Sequence, residues 1–327
     1  MRIGLVGRHN DKGLGTITRN WRRFLPVTRT LVKLHKLGNR FAETEPWPDT
    51  TYCKNPDLVA EEWVRDIDVL VVLEFAKHER LFTVARERGI KSVLMVNYEF
   101  LPDPFAVRPD LFLCPSSVNL AAIPEGLPKV LIPTPVDLPA FPFRVRESVR
   151  TFVHNAGTLG AHGANGTRVF LDAIPLTRNR DLRFLLRSQV PLPSTPDDPR
   201  VQISGALDRQ ADLYAEGDVL VMPHRFRADS LPIAEAMASG MPVLSTDMPP
   251  FSEFCQFLVR FAREHPLSGR PLQRTVLARD VDPADLATTM DALAGMPLRD
   301  ASRAARAYAE SISWERLKAR ILEAIRP

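Results

Sequence analysis

Short apolar runs alternate with amphipathic, helix-period stretches along nearly the whole chain, and this alternation leaves few folds open. Strands separated by helical crossovers pair in parallel, so the pattern predicts an α/β protein built on parallel sheets. The first run, "RIGLVG", is followed by the loop "RHNDKGLG" and then by "TITRNWRRFL". In that last stretch Ile17, Trp21, Phe24 and Leu25 share one helical face, while Arg19, Arg22 and Arg23 occupy the other. "TRTLVKLH" reads as a second strand, Leu58–Val64 as a helix and "DVLVVLEF" as a strand. "LFTVARERG" is a helix stopping at Gly89, and "KSVLMVNYEF" and "LFLCPSS" are further strands.

From Ile123 to Phe143 the chain becomes proline-rich ("IPEGLPKVLIPTPVDLPAFPF"), which suits a connection between domains because proline resists helix and central strand alike. A second alternation follows. Strands are expected at "RTFVHNAG", "DLRFLLRS", "PRVQISG" and "DVLVMPH", and helices at "TRVFLDAI" and "DRQADLYAEG". Asp282 is placed to cap a helix, and "ASRAARAYAESISWERLKARILEAI" closes the chain as helix. The expected organisation is one domain over 1–137, a second over 138–310, and a closing helix over 311–327 that returns toward the first.

At 327 residues, 45% hydrophobic and 25% charged, the chain has the make-up of a soluble globular protein with room for two cores. Cys53, Cys114 and Cys255 are odd in number and widely spaced, which speaks against a disulfide framework or structural zinc and for a reducing, cytoplasmic setting. The apolar start of "MRIGLVGRHN" is too short for a signal-peptide core, and no segment reaches a membrane-spanning length. Peripheral membrane contact stays open. Net charge is +4, but residues 1–40 hold ten Lys or Arg against the single acid Asp11, a local +9. Two readings of that run stand: an anionic partner, or a solvated Arg-rich surface.

Ligands of open α/β sheets bind outside the carboxyl ends of the strands, and three loops there stand out. "GRHNDKGLG" offers Gly13 and Gly15, either for close backbone approach to a ligand or simply for a turn. "HNAGTLGAHGANGTR" carries Gly157, Gly160, Gly163 and Gly166 ahead of a helix whose N-terminus would present N–H groups to a phosphate. Thr167 capping that helix is the plainer alternative. In "RFRADSLPIAEAMASGMPVLSTD", Ser230 is placed to cap a helix with Pro232 in its first turn. Glu235 follows among apolar and small residues, where a carboxylate needs a polar partner such as a ribose diol.

"SLPIAEAMASGMPVLSTD" closely resembles the donor-binding signature of retaining glycosyltransferases of the GT-B fold, family 4 type. "ADLYAEGDVLVMPH", "PTPVDLPAFPF" and "SWERLKARILEAI" resemble that family's run into the donor pocket, its interdomain segment and its closing helix. The likeness covers residues 115–327; the N-terminal half shares it in architecture only. It implies two Rossmann-like domains facing a central cleft, the N-terminal one for the acceptor and the C-terminal one for the nucleotide-sugar. Ser230, Leu231 and Glu235 would bind the donor, with Glu235 on its ribose. The chain also departs from the family pattern. Arg227 stands where the family has a sugar-contacting glutamate, and the Arg and Lys that clamp the diphosphate are missing, with Asn165 near the lysine position. Arg225 and Arg227 are expected to take over the diphosphate together with Gly157, Gly160 and Asn165. An exposed, solvated Arg227 is the alternative. In place of the family's N-terminal-domain histidine stands "NYEF". Glu99 there is a candidate base, Tyr98 a stacking surface for the acceptor and Asn97 a further contact; a structural role for them is equally open.

The expected activity is retaining transfer of a hexose from a nucleoside-diphosphate sugar, UDP-sugar favoured, to a hydroxyl of a large anionic acceptor. Glu99, Arg225 and Arg227 would act in catalysis, and Gly13, Gly15, Arg19, Arg22, Arg23, Asn97 and Tyr98 in acceptor binding. No cofactor, metal or protein partner is expected; the DxD spellings at Asp66–Asp68 and Asp280–Asp282 enter a strand and precede a helix. The acceptor reading is hydroxymethylated pyrimidines in DNA, in the manner of phage enzymes of this fold. Such a base would have to be flipped out, and binding would fall steeply with salt. A lipid or cell-envelope saccharide is the alternative, and a non-catalytic nucleotide-sugar-binding protein the second. A dinucleotide-dependent oxidoreductase lacks its GxGxxG.

Overall fold

The structure, a computed structural model, describes residues 1–34, 46–74, 76–192, 194–205, 207 and 209–327. Lys36 and Arg40 of the basic run, together with His35, Phe75 and Asp208 of the predicted elements, lie outside the described residues. The chain divides into two units. Met1–Thr134, Gly269–Arg274 and Trp314–Pro327 form the first; Pro135–Ser268 and Thr275–Ser313 form the second. Both are α/β units of the Rossmann type, each on its own parallel sheet.

In the first unit β1 (Ile3–Gly7), β2 (Val27–Lys33), β3 (Thr50–Cys53), β4 (Val69–Leu73), β5 (Lys91–Met95), β6 (Leu111–Cys114) and β7 (Lys129–Leu131) pair in the order β3-β2-β1-β4-β5-β6-β7. All of the pairings are parallel. Helices α1 (Gly13–Phe24), α2 (Ala60–Trp63), α3 (Glu79–Glu87) and α4 (Ser117–Ala121) make the connections. Every residue of β1 and β4 is buried, as their unbroken apolar runs require of strands covered on both faces. In α1 the predicted apolar face buries Ile17 and Trp21.

The second unit orders β8 (Thr151–Gly157), β9 (Arg183–Ser188), β10 (Val201–Ser204), β11 (Val219–Met222), β12 (Val243–Thr246) and β13 (Phe257–Val259) as β10-β9-β8-β11-β12-β13. It contains α5 (Thr167–Ala173), α6 (Leu231–Ala238), α7 (Pro283–Leu293) and α8 (Arg299–Ser311), and an antiparallel hairpin of β14 (Arg263–Leu267) with β15 (Val276–Asp280). Asp282 caps α7 by accepting the Ala284 N–H at 2.8 Å, as its position predicts. The final helix α9 (Trp314–Ala324) belongs to the first unit, where Trp314 stacks on Phe24 and meets Trp21 edge-on.

Four sequence expectations change. The strand "KSVLMVNYEF" stops at Met95, and Tyr98–Phe100 form a 3-10 turn whose Tyr98 N–H is taken by Asn119 Oδ1 at 2.9 Å. "DRQADLYAEG" supplies a 3-10 turn, Gln210–Tyr214, and no α-helix. The closing helix is two, because at the break the Ile312 carbonyl accepts Val136 N–H and Ser313 bridges to Val136. The proline-rich connection contains β7, which with β3, β13 and the β14–β15 hairpin escaped the reading. β3 and β7 are half-buried strands at the edges of their sheet, and edge strands carry no strong apolar periodicity. Among the described residues no helix is long and apolar enough to cross a membrane.

Candidate functional site

The second sheet changes its winding direction between β8 and β11, the place where open α/β sheets hold ligands. The loops leaving those two strands carry most of the donor-side residues singled out in the sequence. After β8, Gly157, Gly160, Gly163 and Gly166 all lie in the left-handed region, with φ from 52 to 72°. So do Leu159 at 68° and His162 at 50°, a conformation that costs a residue with a Cβ about 1 kcal/mol. Local strain of this sort persists where the surroundings dictate the backbone, and it gathers at ligand sites.

The loop is joined to its neighbour by close packing. A Cβ on Gly166 would stand 2.1 Å from the Pro223 carbonyl oxygen, and one on Gly160 would stand 2.9 Å from Asn165 Oδ1 and 3.0 Å from Arg227 Nη2. Gly160, Asn165 and Arg227 are therefore brought together. Asn165 also closes the loop on itself by donating to the Ala156 carbonyl at 3.1 Å. Arg225 is held differently: its Nε donates to Asp280 Oδ1 at 2.6 Å and its Nη1 to the His162 carbonyl. Asp280 also accepts Arg263 at 2.8 Å, with His265 at 3.4 Å. Burial works to raise the Asp280 carboxyl, but Arg263 and Arg225 hold it below the usual carboxylate range. The second DxD spelling thus anchors an arginine and caps a helix. In the first, Asp66 faces Arg29 at 3.5 Å and Asp68 takes Arg2 at 2.9 Å. Among the described residues no group of three or more His, Cys, Asp or Glu is arranged to hold a metal ion.

The cap expected at Ser230 does not form, and neither does the alternative one at Thr167. Gly166 occupies the N-cap position of α5, and Thr167 is buried with its hydroxyl 2.8 Å from His154 Nε2. His154 Nδ1 lies 2.7 Å from the Val221 carbonyl, which can only accept, so Nδ1 carries the proton and Thr167 donates to Nε2. Burial pushes His154 down to about 4. Ser230 occupies the N-cap position of α6 but makes no capping bond; its hydroxyl sits 3.0 Å from His224 Nε2. The other ring nitrogen of His224 faces the Ala164 carbonyl at 3.3 Å, so by the same logic Ser230 donates. Burial, then the charge of Arg227, holds His224 down at about 3. This neutral histidine ties the glycine loop to the start of α6, where Leu231 opens the helix. Sequence reading missed both histidines, since nothing in their spacing marks them.

Glu235, one turn into α6, is 4% exposed. Its Oε2 accepts the Tyr214 hydroxyl at 2.7 Å, and its Oε1 accepts the side-chain amide of the exposed Gln210. Tyr214 is fully buried, and burial, then the Glu235 charge, raises its phenol well above the ordinary value, so the hydroxyl stays a donor. Tyr214 and Gln210 were also missed; both lie on the 3-10 turn that the reading treated as helix. A left-handed glycine loop, a guanidinium against it, a helix start and a buried carboxylate provide anion-binding and hydroxyl-accepting groups side by side.

The first unit uses several of its candidates internally. Gly13 opens α1, and a Cβ on Gly15 would stand 1.9 Å from the Asn10 carbonyl oxygen, so Gly15 is required by its own loop. Arg19 donates to the Asn10 carbonyl and to Thr16, each at 3.1 Å. Arg22 donates to Thr30, to Thr50 at 3.2 Å and to the Pro48 carbonyl at 2.9 Å, and lies over the Trp47 ring. Arg23 is the exposed member of the three. Asn97 and Tyr98 are half-buried at the end of β5. Glu99 is 1% exposed, and its carbonyl accepts Gln273 N–H at 2.9 Å. The loop after β1 also holds His9, passed over in the sequence, stacked on Trp47 at 3.8 Å and bonded to the Tyr52 hydroxyl at 2.9 Å.

Comparison with known proteins bears on this arrangement. Residues 152–295, which span the glycine loop and α6, match the family of glycosyl transferases group 1. A glycosyltransferase from Rickettsia africae ESF-5 superposes with a TM-score of 0.70 at 14% identity, covering 98% of this chain and 97% of that one. Anabaena Alr3699/HepE in complex with UDP-glucose gives 0.69 at 14%, covering 99% and 98%. The apo form of the lipopolysaccharide outer core galactosyltransferase WaaB gives 0.64 at 11%, covering 99% of both chains. No curated protein matches the sequence. The second unit thus carries a domain of the glycosyl transferases group 1 family, and the chain shares the two-unit fold of solved glycosyltransferases.

Proposed function

We propose that the protein transfers a hexose, with retention at the anomeric carbon, from a UDP-sugar to a hydroxyl of a cell-envelope or lipid-linked saccharide. The observation that carries the donor half is the meeting of Gly160, Asn165 and Arg227 at the winding switch of the second sheet, with Glu235 one turn into the adjoining helix. The fold shared with an Anabaena protein solved with UDP-glucose supports a uridine nucleotide. In this reading the ribose hydroxyls replace the exposed Gln210 amide on Glu235. Arg227, the N–H groups of the glycine loop and the start of α6 hold the diphosphate. The sugar C1–O bond breaks toward UDP, the acceptor oxygen attacks from the same face, and its proton passes to the departing phosphate. Positioning and charge stabilisation of the leaving group then carry the rate.

Glu235→Gln should weaken UDP binding by about tenfold in calorimetry. The loss should shrink for 2′,3′-dideoxy-UDP, which lacks the hydroxyls that Glu235 would hold. Equal losses for both nucleotides would place the ribose elsewhere. DNA carrying hydroxymethylated pyrimidines is a second acceptor reading, favoured by the +9 of residues 1–40. Against it, Arg19 and Arg22 are engaged in hydrogen bonds within the fold. Labelled UDP-glucose offered with envelope extract and with hydroxymethylated DNA separates the two. Label in nucleosides after digestion, and none in the extract, would reverse the preference.

A further inference from the structure

The two oxygens of Glu235 are held in different ways. Oε2 accepts the Tyr214 hydroxyl at 2.7 Å, and Oε1 accepts the side-chain amide of Gln210. Both donors come from the 3-10 turn Gln210–Tyr214, but from its opposite ends and in unlike surroundings. Gln210 is exposed, so a ligand can take its place. Tyr214 is fully buried, its ring edge-on to Phe141 at 5.9 Å, and burial keeps its phenol a donor.

The backbone of the turn is fixed as well. The Tyr214 carbonyl accepts Arg146 Nη2 at 2.7 Å, and Arg146 is 2% exposed. The same guanidinium donates from Nη1 to the Ser239 carbonyl at 3.3 Å, where α6 ends. A cation suits that place because the carbonyl end of a helix carries partial negative charge. Arg146 thus ties the turn that carries Tyr214 to the helix that carries Glu235. Asn155 on β8 adds a donor, its Nδ2 lying 3.5 Å from the Tyr214 hydroxyl. Ring, carbonyl and hydroxyl of Tyr214 are all engaged within the second unit. A carboxylate with one oxygen pinned in this way has its other oxygen aimed in advance, so ordering that would accompany ligand binding is complete in the folded protein.

We propose that Tyr214 is a positioning residue of the donor site: it retains Oε2 of Glu235 so that Oε1 is presented to the ribose hydroxyls, and Arg146 fixes the turn that carries it. The proposal rests on the donor reading, in which Glu235 takes the ribose, and adds which oxygen does so and what aims it. Tyr214 acts through the carboxylate and not on the nucleotide.

The test measures UDP and 2′,3′-dideoxy-UDP affinity by calorimetry on the full-length protein, at a temperature where thermal melts show each variant folded. Tyr214→Phe keeps the ring and removes only the hydroxyl. It should weaken UDP by about threefold to tenfold and dideoxy-UDP by less than about twofold, because only the ligand's hydroxyls sense the direction of Oε1. A merely structural role would weaken both nucleotides alike; that result, or unchanged UDP affinity, overturns the proposal. Tyr214→Phe combined with Glu235→Gln should bind UDP no more weakly than Glu235→Gln alone, and additive losses would equally overturn it. Arg146→Lys leaves the hydroxyl in place and should give a smaller loss with the same dependence on the ligand's hydroxyls. It carries the test, by the same outcomes, if Tyr214→Phe does not fold. Glu235→Gln reports on the donor reading separately. If it discriminates between the two nucleotides and Tyr214→Phe does not, the ribose site stands and this proposal alone falls; if Glu235→Gln does not discriminate, both fall.

Discussion

Arg225 and Arg227 are two residues apart and chemically identical, yet the fold gives them different work. Arg225 spans Asp280 and the His162 carbonyl, so its charge is largely met within the protein. Arg227 lies against Gly160 and Asn165. Arg225→Ala should therefore act on stability, losing about 1–2 kcal/mol in urea unfolding because a hydrogen-bonded, partly buried ion pair is broken. Arg227→Ala should leave stability within about 0.5 kcal/mol but weaken UDP by roughly fivefold to tenfold, with uridine affinity unchanged. If uridine weakens as much as UDP, Arg227 does not hold the diphosphate. Sequence alone put both arginines in one role, because spacing cannot show which of them meets an acid fifty residues later.

At the level of elements, the glycine loop and α6 were legible and their joints were not. Glycine density before a helix pointed to the loop, and all four glycines are left-handed. Ser230 and Thr167 looked like caps because local pattern favours them there. Two buried histidines, His154 on β8 and His224 just past the end of β11, compete for their hydroxyls and win. Gly166 is where loop and strand end touch, so Gly166→Ala should cost at least about 2–3 kcal/mol in chemical unfolding and also reduce UDP affinity. Gly295→Ala is the control: its φ is 73°, but nothing lies within 4 Å of the added methyl. The expected cost there is about 1 kcal/mol, with no change in UDP affinity. Equal costs at the two positions would show that backbone conformation, and not the contact with Pro223, sets the requirement.

Across the whole molecule, both units keep histidines buried and neutral. In the first unit His78 is pushed down to about 4 by burial and then by Lys33; in the second, His154 is held near 4 and His224 near 3. Between these values and about 6.5 the unfolded chain binds protons that the folded one does not. Stability therefore rises with pH through that window and levels off above it. Each histidine contributes on the order of 1 kcal/mol per pH unit. Urea midpoints should fall between pH 7 and pH 5, and His154→Asn should flatten the second unit's share of that fall. A midpoint independent of pH across this range would mean that the histidines titrate normally.

The alternation of apolar runs with amphipathic stretches was enough to specify parallel sheets, because burial on both faces demands unbroken apolar strands. The run from Ser230 to Asp247 was likewise enough to locate a helix with Glu235 inside it, since its early proline, small residues and strand are all local features. Tertiary structure decided what those residues touch. It set Tyr214 and Gln210 on Glu235, Asp280 on Arg225, and His224 on Ser230. Such partners are distant in the chain, and a contact between them follows from how strands order and pair, which no short window of sequence encodes.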